Sequence, residues 1–183
     1  MRRRGHGLAG RPRRRAPVLP GGWVGRAALS VCLPPPDLFE KYREAVTIPE
    51  HPDGHFERMH PYHQRFRERS RIADATEHEI RRTRAAYYGM VEFDDRLVGQ
   101  VLDTLEANGQ RENTLVVYTS DHGEMAGDHG LWWKMSLYEG SAGVPLVASM
   151  PGTMAEGIRA ASPVSLTDIG PTLADVAGAA KIP

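Results

Sequence analysis

The sequence of 183 residues holds a single cysteine, Cys32. No disulfide can therefore form within the chain, and no multi-thiolate zinc or iron–sulfur site can be built. One lone thiol fits a reducing, cytoplasmic setting. Long apolar runs are missing too: the best stretches, 114–118 and 144–148, have strand length, against the roughly 18 residues of a membrane helix. The chain is read as one that does not enter a membrane. Lysine and acidic residues are absent from the first 36 positions, which hold eight arginines. The remaining 15 basic residues then stand against all 23 acidic ones, so the net charge of zero conceals a segment of +8 joined to a body of −8.

What is present divides along the same line. Of residues 1–26, nineteen are Arg, Gly, Ala or Pro, with no apolar period of 2 or 3.6 that could bury a face. Residues 1–33 are expected to be a disordered Arg/Gly/Pro-rich segment. It competes among three readings: a basic arm for nucleic acid, a targeting peptide, or residues foreign to the natural domain. Arg26 and the Gly21-Gly22 pair break any apolar core that a secretion signal needs. Residues 34–183 have ordinary composition, and the length suffices for one hydrophobic core but not for two ordinary domains.

Along that body, the chain from Asp37 to Arg43 predicts a short helix after the stop at Pro34-Pro35-Pro36, and Ile48 to Gly54 predicts a loop. His51, His55, His60 and His63 follow closely; Pro61 keeps the last two off a shared regular helical face, and the pattern predicts a solvated, partly helical connector rather than a metal cluster. Thr76 and Glu79 form a capping-box pair. Ile80, Tyr87, Tyr88, Val91, Val98, Val101, Leu102 and Leu105 then make one apolar stripe, up to a stop at Asn108-Gly109. Acids beside the stripe, Asp94 and Asp95, are expected to be solvated or paired with Arg96. The unbroken run Thr114 to Thr119 predicts a strand buried on both faces in a parallel sheet. A second strand is expected over 144–149 and a helix over 165–177, so the fold class is α/β.

Open α/β sheets bind ligands beyond the carboxyl ends of their strands, and there the sequence runs Ser120-Asp121-His122-Gly123-Glu124. A carboxylate, an imidazole and a glycine that allows a tight turn can converge on one cation. His129, Trp132, Trp133 and Lys134 come next, bringing a second imidazole and an ammonium to the same rim. Such a set suits an anion held beside a divalent cation.

The order of motifs carries a resemblance. Tyr118-Thr119-Ser120-Asp121-His122-Gly123-Glu124, Gly127-Asp128-His129-Gly130-Leu131-Trp132, Lys134-Met135-Ser136, Tyr138-Glu139-Gly140-Ser141 and Val144-Pro145-Leu146 together resemble the type I sulfatases of the alkaline phosphatase superfamily. The similarity is strongest to the choline-sulfatase-like and phosphonate-monoester-hydrolase-like branch. The resemblance implies a partial alkaline-phosphatase-like sandwich, with a mostly parallel sheet flanked by helices, and makes 34–183 part of a catalytic domain. It implies that Asp121 and His122 belong to a divalent-metal site for Ca2+ or Mn2+, that Lys134 holds the ester oxygens, and that His129 is a rim histidine. The implied partner is a small sulfate, phosphate or phosphonate ester, with a homo-oligomer left open.

Two departures accompany it. The family's nucleophile, a formylglycine made within C/S-x-P-x-R, has no counterpart: Cys32-Leu33-Pro34-Pro35-Pro36 carries proline where the arginine belongs. Many relatives also place an arginine at the position of Gly143. The expectation is a C-terminal piece of a sulfatase-type hydrolase, inactive alone. The alternatives are a phosphodiesterase or phosphonate monoester hydrolase of the same superfamily, or a noncatalytic nucleic-acid-binding module that uses the arginine arm.

Overall fold

The computed structural model describes residues 33–70 and 72–179. Residues 1–32 of the expected disordered arm, Cys32 among them, lie outside the described residues. Two compact units are distinguished, which among the described residues cover 33–159 and 160–179.

Helix α1 spans Pro36–Ala45. It begins where proline is favoured, because the first helical residue needs no amide hydrogen and the ring presets φ. After a turn-rich loop comes α2, Pro61–Arg69, with Pro61 again in the first turn and the His60 side chain accepting from the Tyr62 amide. The long helix α3, Glu77–Ala107, starts from the predicted box: the Glu79 amide donates to Thr76, and the Thr76 amide donates to the Glu79 carboxylate at 2.8 Å. It stops at Asn108, followed by Gly109 at φ +63, the left-handed geometry that glycine adopts without a Cβ clash.

The face that α3 buries overlaps the apolar stripe only in part, since Ile80, Tyr87, Val98 and Leu102 are half-buried and Leu105 is buried. Val91 and Val101 are exposed, whereas Arg84, Ala85, Ala86, Gly89 and Leu105 are buried. Small residues won because α1 lies close against α3: a Cβ at Gly89 would stand 2.7 Å from the Pro34 ring and 3.5 Å from the Leu38 backbone. Leu38 fills the seam, fully buried.

Beside this seam, Glu92 accepts from Lys41 (2.5 Å), Tyr42 (2.8 Å) and Arg96 (2.9 Å). Arg96 therefore serves Glu92 and, at 3.7 Å, Asp37. The expected partners Asp94 and Asp95 are not the ones it takes. Hydrogen bonds from Lys41 and then Tyr42 hold the Glu92 carboxyl down at about 2. A carboxyl depressed on folding stabilises above its ordinary value near 4.5, and that contribution disappears as pH falls toward 2. Urea midpoints measured through this window are expected to fall more steeply for the wild type than for Glu92→Gln. Parallel slopes would show that the cluster contributes nothing.

Strands β1, Val116–Thr119, and β2, Leu146–Ser149, pair antiparallel, with Val116 opposite Ser149 and Thr119 opposite Leu146. Helix α4, Glu139–Ala142, lies on the connection between them. The mostly parallel sheet is thus not what the described residues form. An apolar run specifies burial but not the direction of its neighbour, and this connection lacks the crossover helix that returns a strand in parallel. Nor is β1 buried on both faces: Tyr118 and its cross-strand partner Val147 are 45% and 57% exposed.

In the second unit, Ser165 and Asp168 form a capping box around a 3₁₀ turn that runs into α5, Ile169–Val176, over the predicted helical range. No helix among the described residues is long and apolar enough to cross a membrane.

Candidate functional site

The loop leaving β1 is built as a pinched hairpin. The Gly123 amide donates to Ser141 O (2.8 Å), Met125 to Trp133 O (3.0 Å) and Gly127 to Leu131 O (2.8 Å). Met125 and Leu131 bury their side chains with Met59, against Phe56, Phe66 and Tyr138. This apolar anchor fixes the loop against the 56–66 segment. Ala126, His129 and Trp133 adopt positive φ of 48°, 54° and 64°, conformations that cost side-chain-bearing residues roughly 1–3 kcal/mol each and persist only where surroundings impose them.

The surroundings that impose them are polar. Buried Arg84 donates to Ala126 O at 2.5 Å and reaches Asp128 at 3.4 Å. Arg67 donates to Gly130 O at 3.0 Å. Glu124 accepts from the amides of Ala126 (3.0 Å) and Trp133 (2.6 Å), which fixes the backbone immediately before Lys134. Neither Arg84 nor Arg67 was singled out from the sequence, and Glu124 only as part of the motif that follows β1. Arg84 had a signal, because it follows Ile80 by four residues and so shares the face of the apolar stripe.

Asp121, His122 and Lys134 come together. His122 Nδ1 lies 2.8 Å from Gly123 O. A carbonyl only accepts, so Nδ1 carries the hydrogen and Nε2 is left with its lone pair. That lone pair faces the Asp121 carboxylate, 3.6 Å away, and accepts from the Lys134 ammonium at 2.8 Å. Two acceptors side by side with an ammonium against them make a site that wants positive charge. The tautomer, held by a backbone carbonyl, is the usual arrangement of a metal-ligating histidine. Asp121 remains 82% exposed.

His129 is placed elsewhere. Its ring stacks on Tyr138 (4.0 Å between centroids) and on His55 (5.1 Å), with its Nδ1 3.2 Å from His55 Nε2. The 51–63 histidines are therefore more than a solvated connector: His51, His55 and His63 are half-buried in ring contacts.

The donor chemistry of Asp121 and His122 suits a divalent ion, but two donors are fewer than calcium or manganese takes. Among the described residues no group of three or more His, Cys, Asp or Glu is arranged to hold a metal. The Asp121–His122 pair has donors of the right chemistry for such an ion and too few of them to hold it.

The family model for Sulfatase matches residues 47–179. The chain is 46% identical over 105 residues to the choline-sulfatase of Rhizobium meliloti (strain 1021), covering 57% of this chain and 20% of that protein. It is also 46% identical over 103 residues to arylsulfatase K of Danio rerio, covering 56% and 20%. A phosphonate monoester hydrolase from Silicibacter pomeroyi superposes with a TM-score of 0.67 at 31% identity, over 74% of this chain and 29% of that one. The chain spans about a fifth of the length of these curated relatives.

Proposed function

The chain belongs to the sulfatase family, and from that premise we propose that it serves the metal-dependent hydrolysis of a sulfuric ester. In this reading Asp121 and His122 hold part of a divalent calcium or manganese site and Lys134 grips the ester oxygens, whereas His129, expected at the rim, is engaged by Tyr138 and His55 instead. The observation that carries it is the convergence of the Lys134 ammonium and the Asp121 carboxylate on one imidazole nitrogen. When bound, the divalent ion supplies Lewis-acid polarisation of the ester.

The chain's own residues do the rest. The Gly123 carbonyl keeps the His122 lone pair outward, so the ring presents an acceptor. Lys134, a point charge with three donors, leaves that nitrogen for the charged oxygens of the ester and neutralises them as the bond to the leaving group stretches. Glu124 keeps the Lys134 backbone from wandering, through the Trp133 amide. Neither the C/S-x-P-x-R signature nor the acidic ligands that precede it in the family occur upstream of Asp121. The proposed activity therefore requires a segment that supplies them, and residues 34–183 act as part of the catalytic domain.

A phosphonate monoester hydrolase is the second reading, favoured by the superposition with the Silicibacter pomeroyi enzyme. The nucleic-acid reading gains no support from these comparisons, since the arginine arm lies outside the matched range 47–179. The test is a paired assay of an aryl sulfate and a phosphonate monoester, with this chain joined to the segment carrying the nucleophile signature. Faster turnover of the sulfate is expected. A preference for the phosphonate of about tenfold or more would install the second reading, and turnover of neither would overturn both.

A further inference from the structure

Away from the Asp121–His122–Lys134 trio, the rings of His51, His55, His129, Tyr138 and His63 form one continuous column. Centroids are 5.1 Å apart from His51 to His55, 5.1 Å to His129, 4.0 Å to Tyr138 and 5.1 Å to His63. The first three contacts are nearly parallel, at 11°, 26° and 12°. The column joins two stretches of chain distant in sequence. His129 and Tyr138 bracket the segment that carries Lys134, while His51, His55 and His63 belong to the stretch before and within α2. We propose that this column is an acid-sensitive latch that positions the Lys134 loop, fastened while His51, His55 and His63 are neutral and released when they take up protons.

The hydrogen bonding sets the limit. His55 Nε2 and His129 Nδ1, 3.2 Å apart, can share one hydrogen; a proton added at His55 Nε2 leaves that nitrogen no lone pair with which to accept from His129. Charges around the column offer no surplus of acid. Arg58 and Arg67 face it, against Glu57 and Asp128, and Asp128 is already engaged by Arg84. His60 faces His63, as a further base. Arg67 cannot turn away, since its guanidinium lies 3.6 Å over the Phe56 ring and donates to Gly130 O.

Burial first, and then the neighbouring imidazoles, hold His51, His55 and His63 below the ordinary value of 6.5. A histidine depressed on folding binds its proton more readily in the opened chain, so stability is complete above about 6.5 and declines as pH falls below it. The loss is felt locally. His129, at φ +54, loses the His55 ring from one of its faces when His55 takes up its proton. Release of the loop does not depend on what Lys134 binds; only its consequence for turnover rests on the function proposed above.

Hydrogen exchange of the 183-residue chain, corrected for the intrinsic pH dependence of exchange and compared between about pH 7.5 and about pH 5.5, tests the latch. Amides of 127–138 are expected to open about tenfold more often at the lower pH, while those of α3 stay unchanged. His55→Phe keeps a ring in the column but cannot take a proton, and its acid response is expected to shrink below about twofold. An absent acid response in the wild type, or a full response in His55→Phe, overturns the proposal. Should His55→Phe fail to fold, imidazole NMR of the wild type decides. His55 titrating below the ordinary value, in step with the opening of 127–138, supports the latch, and titration at or above that value overturns it.

Discussion

Gly123→Ala is expected to cost about 3 kcal/mol or more and to dismantle the loop that follows β1. A Cβ there would stand 2.1 Å from the Gly140 carbonyl oxygen and 3.1 Å from its carbon. Both atoms are backbone, and they cannot swing aside as a flexible side chain can. The only relief is to part the two sides of the hairpin, which breaks the Gly123 amide bond to Ser141 O and moves the segment bearing Lys134. The clash also lies between the two elements on which the candidate site depends, so the harm reaches His122 through its own neighbour. Gly99→Ala provides the opposite control. Nothing lies within 4 Å of a Cβ at Gly99, which sits inside α3, and alanine there is expected to stabilise by about 0.5–1 kcal/mol. Chemical denaturation of the two variants beside the wild type checks both signs in one experiment.

Lys134→Ala, with this chain joined to the segment that completes the family's catalytic machinery, is expected to lower turnover by on the order of a hundredfold or more while the metal stays bound. That is the usual scale for removing a group aimed at developing charge. Lys134 touches His122 Nε2 by its ammonium alone, so its loss takes away a charge without taking away a ligand. Asp121→Ala is expected to differ in kind, removing metal and turnover together. Steady-state kinetics with metal content measured on the same samples separates the two. Equal metal loss in both variants would mean that Lys134 supports the cation site rather than the ester.

These contrasts follow from geometry that sequence patterns disclose unevenly. The caps of α3 were legible because Thr76, Glu79 and Gly109 act through local backbone chemistry that needs no tertiary context. So was the rim of the site, since Asp121 and His122 follow an apolar run that ends in a loop. The face buried by α3 was legible only in part, through Leu105 and the half-buried Ile80, Tyr87, Val98 and Leu102. Periodicity favours large apolar residues, whereas the close approach of α1 selects Ala85, Ala86 and Gly89, and Arg84 is retained there to hold the Ala126 carbonyl. Strand direction was hidden for a different reason: the run 114–119 records apolarity, and pairing is decided by where the following loop returns the chain. The histidines fared worst. Position in sequence separates His55 from His129 by 74 residues, and nothing short of the folded loop puts their rings in contact.

In the function proposed above, Asp121 and His122 together present a cation site beside Lys134. Manganese titration followed by electron paramagnetic resonance tests it most directly, on the chain joined to the segment bearing the remaining acidic ligands, as wild type, Asp121→Ala and Lys134→Ala. The expected result is saturable binding in the wild type, binding kept or tightened in Lys134→Ala, because an opposing ammonium has gone, and binding lost in Asp121→Ala. Manganese held by Asp121→Ala with wild-type affinity would mean that Asp121 is not a ligand and that the proposed cation site is wrong.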